Sequence, residues 1–210
     1  MKHVALLGDS IFDNHVYVAP APDVGDQLRA RLSDEWKVSL IAVDGHVTRD
    51  VADHQISRIA PDTSHIVISV GGNDALGHAS ILNENARSVA EVVGRLADAK
   101  AAFARSYEDM VTAVLSLKVP TAVCTIYDAN FPEPQRRLVV AALSLFNDVI
   151  TRVAFAHKLH VIDLRLICNE PADYANPIEP SARGGEKIAN AIVGLVRSPR
   201  RERERSSIWT

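Results

Sequence analysis

Cysteine is scarce: Cys124 and Cys168 are the two in 210 residues. That number cannot build a disulfide framework, and no zinc-type spacing links the pair. The expectation is two reduced thiols. An excess of charge of one sign is missing too. Twenty-three Lys and Arg face 26 Asp and Glu, for a net charge of -3, so the chain lacks the basic footprint of a nucleic-acid binder. Long apolar runs are absent from the N-terminus. Met1-Lys2-His3 precedes four apolar residues, Val4 to Leu7, before Gly8. This is too short for a signal-peptide core or a membrane span, and the expected location is cytoplasmic with no membrane partner. The eight histidines show no HExxH-type spacing, so neither a metal nor a cofactor is expected. No internal repeat or linker interrupts the chain.

What is present suits a globular enzyme-sized domain. Hydrophobic residues make up 47% and charged residues 23%, an ordinary soluble composition that can bury a core without staples. One domain is expected over residues 1–196. The segment 197–210, with Arg197, Arg200, Arg201, Arg203 and Arg205 among Glu202 and Glu204, reads as a charged, flexible tail. Five apolar runs read as strands: Val4 to Leu7, Val38 to Val43, His65 to Val70, Pro120 to Ile126 and Leu159 to Asp163. Most lack polar alternation, as parallel strands covered on both faces should. Amphipathic helical stripes lie between them: Val24, Leu28, Leu32; Ala52, Ile56, Ile59; Phe103 to Leu117; Leu138 to Val153; and Ile188 to Val196, with Ser181 as N-cap. Strand–helix alternation implies an α/β fold, a three-layer α/β/α sandwich on a five-stranded parallel sheet in the flavodoxin-like order 2-1-3-4-5. In such sheets the site lies beyond the carboxyl ends of the strands.

Three polar clusters fall at those ends: Gly8-Asp9-Ser10, Asp44-Gly45 and Gly71-Gly72-Asn73-Asp74. A glycine before a serine lets the chain turn and present the hydroxyl. Gly45 allows close approach of a backbone N–H to a ligand. The Asn73 amide is a donor for a developing oxyanion. Each cluster alone also reads as an ordinary turn.

Taken together, the run LLGDSIFDN, the glycine of AVDG and SVGGND resemble the first three sequence blocks of the SGNH (GDSL-type) hydrolase family, over residues 3–76 and again near 176–190. The resemblance implies an ester hydrolase with Ser10 as nucleophile, acting on a small-molecule ester. It also implies an oxyanion hole formed by the Ser10 and Gly45 backbone N–H groups and the Asn73 side chain. The last block departs from the family pattern of Asp-x-x-His. Here Asn176-Pro177-Ile178-Glu179 precedes Pro180-Ser181, so Asn176 stands for the aspartate and Glu179 for the histidine.

Glutamate as general base begins with a lower pKa than histidine, and burial would raise it. An aspartate beside it would repel it, whereas Asn176 is neutral and can donate a hydrogen bond. The reading favoured is a Ser10–Glu179 dyad working through an acyl-enzyme. Two features oppose it. The dipole of the last helix and the charge of Arg183 would both depress the pKa of Glu179. Competing readings are a histidine recruited from His46, His78, His157 or His160, and a non-catalytic module that binds an acyl ligand. A flavodoxin-like nucleotide or flavin binder fits the architecture but lacks a glycine-rich phosphate loop after strand one. Asp9 lies beside the nucleophile. Asp13, Asn14 and Tyr17 either line the pocket or shape the first crossover. Phe131, Pro132, Pro134 and Arg136 are candidates for an acyl-pocket wall. Neither the natural ester nor the oligomeric state is readable from the sequence.

Overall fold

Side-chain alternation along the strands produces the layering. In β1 (Lys2–Gly8), Val4 and Leu6 point into one core while Ala5 and Leu7 point into the other, the two-residue period of an extended chain. The computed structural model describes residues 1–198 and 206–209; 199–205 and 210 lie outside the described residues. The other parallel strands are β2 (Trp36–Leu40), β3 (His65–Ser69), β4 (Thr121–Cys124), β5 (His160–Ile162) and, near the C-terminus, β8 (Ile208–Trp209). They lie in the order β2-β1-β3-β4-β5-β8. The three-layer sandwich and the order 2-1-3-4-5 are as the sequence implies, with a sixth strand added.

One face carries α2 (Val24–Arg31) and α8 (Ala182–Arg197), after the short α1 (His15–Val18). The other carries α5 (Val89–Leu115) and α6 (Gln135–Ala156). Short helices α3 (Thr48–Asp50), α4 (Gly72–Leu76) and α7 (Leu164–Ile167) follow β2, β3 and β5. A two-stranded antiparallel hairpin, β6 (Tyr174–Asn176) with β7 (Glu179–Pro180), precedes α8. By length and composition α6 could cross a membrane. Its apolar character has another use here: Phe146, Val149, Ile150 and Val153 bury against the sheet, and its first half walls a cavity.

The structure corrects three expectations. β2 ends at Leu40, because Ile41 and Ala42 both donate to the Leu6 carbonyl and the regular ladder stops. The helix expected around 52–59 is instead α3, a π-helical turn (Val51–Gln55) and a 3-10 turn (Ile56–Arg58). π-turns collect at functional sites, and this one carries Gln55 into the end of β1. The tail expected to be flexible from 197 is helical at Arg197 and becomes β8 at 208–209; the rest of that expectation falls on 199–205 and 210, outside the described residues. Val161 N–H donates to Ser207 O and Asp163 N–H to Trp209 O, both at 2.9 Å. The Trp209 ring lies over Gly194 of α8.

Candidate active site

The carboxyl end of β1 is built around a residue that must be glycine. Gly8 has φ +131°, and a Cβ there would sit 1.7 Å from the Ser69 carbonyl oxygen. No side chain tolerates both conditions. Gln55 fixes this turn, accepting from the Gly8 N–H and donating to the Gly8 carbonyl, each at 2.8 Å. Sequence reasoning missed Gln55, since a lone glutamine on a helix carries no pattern. The strand then releases Asp9 and Ser10 into a cavity of about 590 Å³ lined also by Asn73, Tyr127, Phe131, Pro134 and Glu179.

Ser10 Oγ donates to Glu179 Oε1 at 3.1 Å. Both residues are buried, Glu179 being 6% exposed. Burial, and secondarily the nearby charge of Asp44, push the Glu179 carboxyl up to about 7, against the opposing hydrogen bond from Ser10. The second carboxylate oxygen, Oε2, is buried without a partner among the described residues, which strengthens the penalty on the charged form. Of the two sequence-based objections to Glu179 as a base, that from the Arg183 charge is met by other partners. Glu179 lies in β7, outside α8, and Ser181 is the helix N-cap, accepting from Gly184 N–H. Arg183 pairs with Glu170 and, at 3.5 Å, with Asp173.

The hairpin that presents Glu179 is tied down on several sides. Tyr127 Oη donates to Ile178 O at 2.6 Å. Asn130 N–H donates to Pro177 O, and Asn14 Nδ2 donates to Pro180 O. Asn14 Oδ1 also accepts from Val24 N–H, so Asn14 positions the hairpin against α2. Asn176 differs from expectation. It is exposed, and its Oδ1 accepts from Ile178 N–H, a local Asx turn that leaves the Glu179 carboxylate without an amide partner.

Asn73 is the second residue of α4 and lines the cavity. Its Nδ2 donates to His46 O at 3.0 Å, which uses one of two amide hydrogens. Gly45, at φ +82°, sits one residue before that carbonyl and is absent from the cavity wall. Neither Ser10 N–H nor Gly45 N–H has an acceptor among the described residues. Asp13 and Tyr17 shape this loop: Asp13 Oδ2 accepts from Asp44 N–H, and Tyr17 Oη donates to Asp44 Oδ2 at 2.8 Å. Asp74, which the sequence placed only as a turn former, accepts twice from Thr48 and joins α4 to α3.

The candidate histidines have other engagements. His46 Nδ1 contacts Gln55 Nε2. His157 pairs with Glu108, and His160 contacts Ser207, both near the start of β5. His78 lines the cavity against the Phe146 ring. Among the described residues none hydrogen-bonds Ser10. Of the proposed wall residues, Phe131 and Pro134 reach the cavity, whereas Pro132 and Arg136 do not. Cys124 and Cys168 are free and buried. Among the described residues no cluster of His, Cys, Asp or Glu has a metal-holding arrangement.

Asp9 is 3% exposed and accepts from Ile11 N–H. Burial, with the charges of Glu179 and Asp74, raises its carboxyl to about 8. A carboxyl whose folded pKa is raised binds its proton more tightly folded than unfolded, so it costs stability as pH rises from the ordinary range through the folded pKa. The expected result is that the Tm of the parent falls between pH 5 and pH 8, while Asp9→Asn flattens that slope. The variant is therefore favoured over the parent more at pH 8 than at pH 5. Thermal melts of both proteins at the two pH values check this; parallel slopes would refute a neutral Asp9.

The sequence matches the family model described as GDSL-like lipase/acylhydrolase over residues 6–187. No curated protein matches the chain. Among solved structures, a lipase from goat rumen metagenome is 17% identical with a TM-score of 0.72, covering 92% of this chain and 97% of its own. The native aryl esterase of M. smegmatis is 15% identical, TM-score 0.68, covering 94% and 99%. An extracellular lipase from Streptomyces rimosus is 18% identical, TM-score 0.66, covering 93% and 99%.

Proposed function

Because the chain belongs to the GDSL-like lipase/acylhydrolase family, we propose that it is a cofactor-free carboxylic ester hydrolase in which Ser10 is the nucleophile and Glu179 the general base. The observation that carries this reading is the buried 3.1 Å hydrogen bond from Ser10 Oγ to Glu179 Oε1. It is made to a carboxyl poised at about 7, close to an unperturbed histidine at about 6.5. A base near the working pH is both ionised and able to hold a proton.

The steps balance on these two residues. Ser10 Oγ attacks the ester carbonyl and its proton passes to Glu179 Oε1. The carbonyl oxygen becomes an oxyanion that the Ser10 N–H and the spare Asn73 amide hydrogen, both on the cavity wall, would receive; Gly45, assigned to the hole by resemblance, lies off that wall. Collapse of the tetrahedral intermediate expels the alcohol, which takes the proton from Glu179. Water then attacks the acyl-serine, Glu179 accepts its proton, and the acid departs as Ser10 recovers its hydrogen. Glu179 is neutral when it holds the proton, so no aspartate is needed to balance an imidazolium. The raised pKa of Asp9 keeps the neighbouring carboxyl neutral, so the negative charge resides on Glu179.

Turnover of 4-nitrophenyl acetate, together with covalent labelling of Ser10 by a fluorophosphonate, tests the reading. A folded protein that neither turns over esters nor labels would favour the non-catalytic acyl-binding alternative. For Asn73→Ala, kcat should fall by about 100-fold with KM little changed, because the lost donor acts mainly on the oxyanion. A change confined to KM would make Asn73 a ground-state contact instead.

A further inference from the structure

We infer that the cavity between α5 and α6 is a slot for a linear acyl chain on the order of ten carbons, selecting medium-chain carboxylic esters. The inference rests on the ester-hydrolase reading above and names its substrate class.

Along α5 and α6 the walls of the slot are mostly apolar, Gln135 at the start of α6 excepted, while Asn73, His78 and Asn83 are among the polar side chains elsewhere in the lining. α6 contributes Leu138, Val139, Ala142, Leu143 and Phe146, a stripe at i, i+1, i+4, i+5 and i+8. α5 faces it with Leu96 and Ala99, and Val70 and Ile126 belong to the strand ends between. Among the described residues no lysine or arginine lines the cavity, so none of them would neutralise a phosphate or a second carboxylate there. Two of the polar groups near the nucleophile are already engaged. Thr125 Oγ1 donates to Asp163, and Tyr127 Oη to Ile178 O. A sugar or polyol lying along the Leu138–Phe146 stripe would face hydrocarbon there and leave hydroxyls unpaired, which is unfavourable. A hydrocarbon chain meets no such penalty.

Length follows from the helix. Leu138 to Phe146 spans about 12 Å at 1.5 Å per residue. An extended chain advances about 1.25 Å per carbon, from a 1.52 Å bond and a 111° angle. About ten carbons therefore fit alongside. Phe146 packs on Phe103 at 5.0 Å between ring centroids and lies at the far end of this stripe. The exposed leucines Leu76, Leu82 and Leu138 also line the cavity, so its lip is apolar and the chain can enter without crossing a charged rim.

The test is a series of 4-nitrophenyl esters from acetate to palmitate, with calorimetric binding of sodium decanoate below its micelle concentration. The expected kcat/KM climbs by about 100-fold or more from acetate to decanoate, as methylenes leave water, and falls beyond. Ala142→Trp fills the slot and should lower the decanoate-to-acetate ratio at least tenfold. Phe146→Ala should move the optimum to longer chains. A parent that prefers acetate, or an Ala142→Trp variant with an unchanged ratio, would overturn the slot. If no ester is turned over yet decanoate binds and Ala142→Trp blocks it, the slot stands and the hydrolase reading falls. If decanoate does not bind and the profile is flat, the slot falls alone.

Discussion

Ser10→Ala is expected to lower ester turnover by roughly 10⁴- to 10⁶-fold with the fold intact. The side chain is small, and its one hydrogen bond described in the structure is to Glu179, so alanine leaves no clash and little cavity. The variant has a second signature. The hydrogen bond from Ser10 lowers the Glu179 pKa against the larger effect of burial, so removing it should drive that carboxyl further up. Active-site titration with the fluorophosphonate, steady-state kinetics and a thermal melt together check the prediction. Near-parental turnover would remove Ser10 from the chemistry.

Glu179→Gln is expected to cost nearly as much, on the order of 10⁴-fold in kcat, because residues acting as a unit fail as a unit. The amide keeps shape and volume but cannot take the proton. The double variant with Ser10→Ala should be scarcely worse than either single one. In the parent, kcat/KM should fall about tenfold per pH unit below about 7, where Glu179 becomes protonated, and that limb should be missing from the residual activity of Glu179→Gln. Stability should move the other way. Glu179 has a raised folded pKa, so it costs stability as pH rises from the ordinary carboxyl range through about 7. The glutamine variant is spared this cost and should melt no lower than the parent at pH 8. A merely structural glutamate would lose activity and stability together. His46→Ala and His78→Ala should each cost far less than Glu179→Gln; the reverse ranking would transfer the role of base to a histidine.

The positions of Ser10 and Asn73 were legible because each follows an apolar run whose strand character is unambiguous, and parallel sheets put ligand sites at those ends. Glu179 was legible by position, bracketed by prolines and the Ser181 cap. Its electrostatics were not. The Arg183 guanidinium seemed a threat one turn away, but Glu170 and Asp173 hold it, and partners brought together by a short 3-10 turn at Pro171–Asp173 leave no sequence pattern. Asn176 misled for a similar reason, since an Asx turn within the hairpin satisfies its oxygen locally. Tyr127 and Gln55 were missed because their targets are backbone atoms distant in sequence. β8 was unreadable because two apolar residues after a run of arginines and glutamates make no periodic signal.

That last strand has a consequence for how the protein meets copies of itself. Without Ser207, Ile208 and Trp209, β5 would be the border of the parallel sheet, and the Val161 and Asp163 N–H groups would lose their acceptors. Unpaired borders of this kind template association with other chains. β8 caps that border with a short segment of the same molecule, and Trp209 fastens it to α8 through contact with Gly194. The segment from Ser207 to Trp209 thus acts as a guard against edge-to-edge aggregation, so substitutions that dislodge it would be expected to compromise solubility before they compromised catalysis.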